Sequence, residues 1–146
     1  MNIRQGLRVV GLLWLLAAWP ASAGDLTVTG AWARTTAPGV GMGAIYLTID
    51  NGSARSDRLL KLRTPVASLA QVHRTEVLDG IVRMRAVAVL HVAAGERVEF
   101  RPGGHHVMLT GLRKPLVEGQ VFDLELVFEV SGPRKVRVVV RSGAGT

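Results

Sequence analysis

The stretch Gly103-Gly104-His105-His106-Val107-Met108 places two histidines and a methionine together in a chain that has four of each residue type. An imidazole nitrogen and a thioether sulfur are neutral donors, and the soft thioether suits Cu(I) while doing little for Zn, Ca or Mg. In an extended strand, residues two apart share a face, so His106 and Met108 project together while His105 and Val107 project the other way. His105 therefore reads as an exposed strand residue; the competing readings make it a nitrogen donor for Cu(II) or a group that supports the donors from just outside the set. Two further donors would close a four-donor site, and His73 and Met84 are available, one on each side of Asp79-Gly80. Their unequal separations from that turn keep them from direct opposition in a tight hairpin, so a strand-end position or a distorted hairpin is expected. Each residue also has a plainer reading. An isolated strand methionine is most often core filler, and a lone histidine is most often a surface or hydrogen-bonded group.

The elements that must position these side chains are strands. Helical periodicity is hard to find after residue 24, whereas short alternating or apolar runs recur between Gly, Pro, Asn and Asp. Nine strands are expected, at 26–32, 44–50, 58–63, 71–78, 81–87, 97–100, 106–112, 121–130 and 135–141, which indicates an all-β sandwich or barrel. Asp79-Gly80 is the best hairpin signal. It joins the strand that carries His73 to the one that carries Met84. Pro102-Gly103-Gly104 and Asp50-Asn51-Gly52-Ser53 supply further bends.

The N-terminus carries Arg4 and Arg8, an apolar run from Val9 to Ala18, and Ala21-Ser22-Ala23. This is the pattern of a secretory signal peptide over residues 1–23, cleaved after Ala23. The apolar run falls short of the ~20 residues that span a bilayer, which argues against an uncleaved anchor. Residues 24–141 then form one domain, and 142–146 a flexible tail. No later segment reads as membrane-spanning, so a soluble periplasmic product is expected.

Cysteine is absent although that compartment permits disulfides. The fold must stand on its core, and thiolate zinc sites and the Cys-ligated blue-copper centre are excluded. Formal charge is +7, falling to +5 when two arginines leave with the signal. The charges are scattered and read for the most part as a solvated face; export argues against nucleic acid, which leaves docking to an acidic protein partner as the secondary reading. Asp, Glu and Ser form no arrangement that reads as a catalytic dyad or triad. Trp32 and Tyr46 read as sandwich core, His91 as surface, and Met42 as loop packing.

His73, ten intervening residues, Met84, twenty-one more, then His106-Val107-Met108 resembles the His-x10-Met-x21-His-x-Met pattern of the periplasmic copper chaperones called PCuAC. Gly30-Ala31-Trp32-Ala33-Arg34, Gly43-Ala44-Ile45-Tyr46-Leu47, Asp79-Gly80 and Pro102-Gly103-Gly104 carry the likeness across nearly the whole mature chain. The resemblance implies a cupredoxin-like Greek-key β-sandwich that binds one Cu(I) per chain through His73, Met84, His106 and Met108. It also implies delivery to the dinuclear copper centre of cytochrome c oxidase, often beside a second, thiol-bearing chaperone. A monomer is expected, and a neutral four-donor set with no open position reads as a carrier rather than an enzyme. The rival readings are a copper-sequestering resistance or storage protein and a secreted copper enzyme. This chain departs from the pattern in three places: Val82-Arg83-Met84 stands for Met-x-Met, His105 for an aromatic, and Arg74 for an acid. It also lacks the His/Met-rich C-terminal extension of some members, so one principal site is expected.

Overall fold

The structure, a computed structural model, describes residues 24–143; the expected signal segment, residues 1–23, and the last three residues of the expected tail lie outside the described residues. Ten strands follow one another: β1 (Leu26–Arg34), β2 (Met42–Asn51), β3 (Asp57–Arg63), β4 (Ala67–Leu78), β5 (Ile81–Ala86), β6 (Leu90–Val92), β7 (Arg97–Glu99), β8 (His105–Leu112), β9 (Val121–Phe128) and β10 (Gly132–Arg141). Nine correspond to the expected runs, although β4 starts four residues earlier than expected. The addition is β6, whose three residues are too short to show alternation but which pairs with β3 from Asp57↔Val92 to Leu59↔Leu90.

Hydrogen bonding links the strands in the order β5-β4-β8-β2-β1-β10-β9-β3-β6, with β7 on the second half of β2. Pairing is antiparallel except between β1 and β10. The sheet folds back on itself until β3 approaches β4, and the enclosed space is apolar. Ile45, Ile49, Val107 and Leu109 meet Leu124, Leu126, Val138 and Val140 in one buried cluster. The all-β, sandwich-like fold expected from the sequence is met.

Period-two alternation decides which residues enter that core and which face outward. On β2, Ile45, Leu47 and Ile49 are buried while Ala44, Tyr46 and Thr48 are not. On β8, Val107 and Leu109 go inward, which sends His106 and Met108 outward.

A bulge resets the alternation on β1. The β1–β2 register shifts between Thr29 and Trp32, and Gly30 there adopts φ 64°, a left-handed conformation that costs glycine nothing. Beyond it Ala31 and Ala33 are buried, so Trp32 faces outward beside Tyr46. Their ring centroids lie 4.7 Å apart with the planes tilted by 39°. These two aromatics thus pack on the outer face rather than in the core, contrary to expectation: the bulge changes the parity of β1 at Trp32, and Tyr46 alternates with the buried Ile45 and Leu47 on β2.

Candidate metal centre

The four candidate residues come from three neighbouring strands. His73 on β4 stands directly opposite His106 on β8, and Gln71 opposite Met108. On the other side of β4, His73 faces Ala86 of β5 while Met84 faces Thr75. Met84 is therefore diagonal to His73, and alternation puts His73, Thr75, Met84, His106 and Met108 on one outward face.

No distorted hairpin is needed for this. Asp79 and Gly80 both take positive φ, 52° and 75°, between paired Leu78 and Ile81, the two-residue I′ turn that matches strand twist. Diagonal rather than direct opposition accommodates the unequal spacing within a regular ladder.

The two imidazoles are neighbours, with ring centroids 5.8 Å apart and planes tilted by 43°. His106 is buried, 5% exposed, although it lies on the outward face. Its Nδ1 is 3.4 Å from the Gly104 carbonyl oxygen; a proton placed there would leave the Nε2 lone pair free. His73 Nδ1 is buried and has no hydrogen-bond partner among the described residues. Burial first, and then the neighbouring His106, push the His73 pKa below its ordinary value, which favours the neutral, donating ring.

Neither methionine fills the core. Met108 is half-buried and Met84 is 57% exposed, which removes the core-filler reading for both. With His106 they line an open cavity of about 420 Å³, whose other walls include Tyr46, Ala44, Thr75 and the 35–37 stretch. His73 joins this group through its contact with His106 rather than as part of the cavity lining. Among the described residues, no cluster of three or more His, Cys, Asp or Glu residues could hold a metal. Any metal held here would depend on thioether donors.

Several other sequence readings resolve here. His105 faces away from His106, as expected, but is half-buried, its ring 5.8 Å from that of the buried Phe100. The exposed reading fails because the 101–104 turn brings Phe100 into a bridge with His105. His91 is exposed opposite Arg58, as expected. Met42 is not in a loop: it opens β2 opposite Thr110, is 57% exposed, and lines the same cavity as His106 and Met108. Sequence reasoning missed it because it lies outside the long-spaced pattern and reaches Met108 only through the β2–β8 ladder.

Arg74, Glu76, Arg83 and Arg85 lie on the opposite face of the β4–β5 hairpin. Glu76 sits 3.9 Å from Arg74 and 3.6 Å from Arg85. All six residues of β5 are exposed, so the hairpin is thin and its two faces are close together.

The fold and the matching structures are those of a PCuAC-type domain, as the sequence resemblance implied. The chain belongs to the LpqE-like family, whose model matches residues 26–140. It is 30% identical over 145 residues to "Putative lipoprotein Lxx21020" of Leifsonia xyli subsp. xyli, covering 94% of this chain and 86% of that protein. The solution structure of CuI-DR1885 from Deinococcus radiodurans superposes with a TM-score of 0.68 at 29% identity, over 84% of this chain and 83% of that one. The copper-bound PCuAC domain from PmoF2 matches in fold, with a TM-score of 0.69 at 23% identity, over 84% and 97% of the two chains. Among the described residues, no helix is long and apolar enough to cross a membrane.

Proposed function

We propose that this protein is a copper carrier that binds one Cu(I) through His73, Met84, His106 and Met108 and hands it to an acceptor protein outside the cytoplasm. The observation that carries the reading is the cross-strand pair His73–His106, on the same outward face as Met84 and Met108. A buried ring nitrogen left unpaired costs about 1–3 kcal/mol, and the orphaned Nδ1 of His73 marks a ring whose polar needs the protein alone does not meet. Two neutral imidazoles and two neutral thioethers leave the charge of the ion uncompensated, which favours a soft monovalent cation over a divalent one.

The copper is cargo. A rim exposed at Met84 lets an acceptor replace donors one at a time, so the ion is never free. No proton or electron need move, and a filled four-donor set offers no open position for substrate, which argues for a carrier rather than an enzyme. The related PCuAC-type structures and the copper in CuI-DR1885 support the same reading. In this account residues 1–23 direct export and are removed, and the protein works in the periplasm as a monomer. The acceptor implied by the resemblance is the dinuclear copper subunit of cytochrome c oxidase, served alongside a thiol-bearing chaperone.

The test is anaerobic mixing of the Cu(I)-loaded protein with that apo copper domain. Transfer of one copper per acceptor is expected; full retention by the loaded protein would make it a store rather than a carrier.

A further inference from the structure

The three methionines of the described residues all line one cavity, and only two of them belong to the long-spaced pattern. The third, Met42, is 57% exposed on the outward face, so burial does not explain it. It faces Thr110 across the β2–β8 ladder, and Ala44, two residues on, faces Met108. Met42 and Met108 are therefore diagonal neighbours on one face, a relationship that holds side chains about 7–8 Å apart at their bases. Two flexible thioethers can close such a gap onto one soft ion.

Strand order adds to this. β8 lies between β4 and β2, so Met108 has Met42 one strand away on one side and Met84 two strands away on the other. Met108 is thus the central sulfur of three, and the two outer sulfurs are equally exposed. Tyr46, Ala44 and Val40 supply a largely apolar wall beside Met42, and among the described residues no carboxylate lines the cavity to recruit a hard ion.

We propose that Met42 is a third thioether donor, which takes Cu(I) together with Met108 as the ion enters and leaves the four-residue site. This rests on the copper reading above and extends it. In each exchange one bond from copper to a resident donor breaks as the bond to the Met42 sulfur forms. Copper stays monovalent throughout. The ion moves away from the buried His106 toward the exposed rim at β2, where an acceptor can add its own donors.

The experiment uses protein labelled with ¹³C at the methionine methyls, titrated anaerobically with Cu(I), together with stopped-flow removal of copper by the chelator bicinchoninate. Met42→Leu is the variant, at an exposed position where leucine keeps the bulk. Expected are shifts of the Met42, Met84 and Met108 methyl signals on Cu(I) addition. Met42→Leu is expected to bind one ion with an affinity within roughly threefold of the unaltered protein but to release it roughly tenfold more slowly, as loss of an exit donor requires. If Met84 and Met108 shift and Met42→Leu releases copper at the unaltered rate, the role of Met42 is overturned and the four-residue site stands. If none of the methyls shifts, the copper reading fails and this proposal fails with it.

Discussion

His73 of β4 and His106 of β8 are direct cross-strand partners, with their rings 5.8 Å apart, on the face of the sheet that turns away from the core. Val72 and Val107, their neighbours in sequence, pair with each other on the core side. The same alternation that packs the valines thus presents the imidazoles. Slipping either strand by one residue would send a histidine into the apolar core, so the core also fixes the register of the site.

Proton competition follows from the imidazoles. His73 is held below its ordinary value by burial and by His106, so its ring stays neutral until the pH falls below the ~6.5 of a free imidazole. Cu(I) affinity is expected to be level from pH 8 to about 6.5 and to weaken at lower pH as protons displace the ion from the ring. Competition titrations across pH 5–8 check this; level affinity over the whole range would remove histidine from the donor set.

Oxidation tests the sulfurs. Met84 is more than half exposed, and conversion to the sulfoxide replaces a soft donor with a polar group. Mild peroxide treatment of the metal-free protein is expected to oxidise Met84 before Met108, and to weaken Cu(I) binding by at least about tenfold. Prior loading with Ag(I), a soft monovalent ion that peroxide does not oxidise, should protect Met84. Peptide mass mapping reads both outcomes.

The arginines of the β4–β5 hairpin lie behind the site rather than beside it. The hairpin is exposed on both faces, and charges act over about 8 Å at physiological ionic strength. Transfer to an acidic acceptor is expected to slow as salt is raised, and Arg83→Glu should slow it at low salt while leaving Cu(I) affinity unchanged. Transfer rates indifferent to ionic strength would remove electrostatic steering from the account.

Acid stability has a different source. Asp57 is 3% exposed, and its carboxylate accepts hydrogen bonds from the backbone N–H groups of Arg58 at 2.7 Å, Val130 at 2.9 Å and Ser131 at 2.9 Å. Burial pushes its pKa up, but the hydrogen bonds together outweigh burial and hold it below the ordinary value. The unfolded chain therefore takes up the proton more readily than the folded one. The contribution of Asp57 is full above the unfolded value of ~3.9 and disappears as pH falls through the lower folded value. Asp57→Ala is expected to cost about 1–3 kcal/mol at pH 7, because it strands buried donors. Urea denaturation at pH 7 and pH 3 should show the difference between the two proteins shrinking in acid.

Much of the fold was legible because alternation is a local property. Residues 44–50, 121–128 and 135–141 carry their burial pattern in the order of their residues, and Asp79-Gly80 names its own turn. The three-residue β6 was not legible, since its place depends on pairing with β3. Nor was the outward placement of Trp32, which depends on a bulge at Gly30. For the site, the separation of His106 from His105 followed from alternation alone. The grouping of His73 and Met84 with them entered through the family pattern, and the structure supplies the diagonal register that makes the grouping physical. Met42 stayed hidden because its nearness to Met108 is a product of the β2–β8 ladder, which no local pattern records.

The central claim is that these four side chains hold Cu(I), and anaerobic titration against a competing chelator tests it most directly. The protein is compared with a variant carrying His73→Ala, Met84→Leu, His106→Ala and Met108→Leu, with circular dichroism confirming that both retain β structure. The account predicts one tightly held Cu(I) per chain in the unaltered protein and none in the variant. Equal stoichiometry and affinity in the two would contradict it.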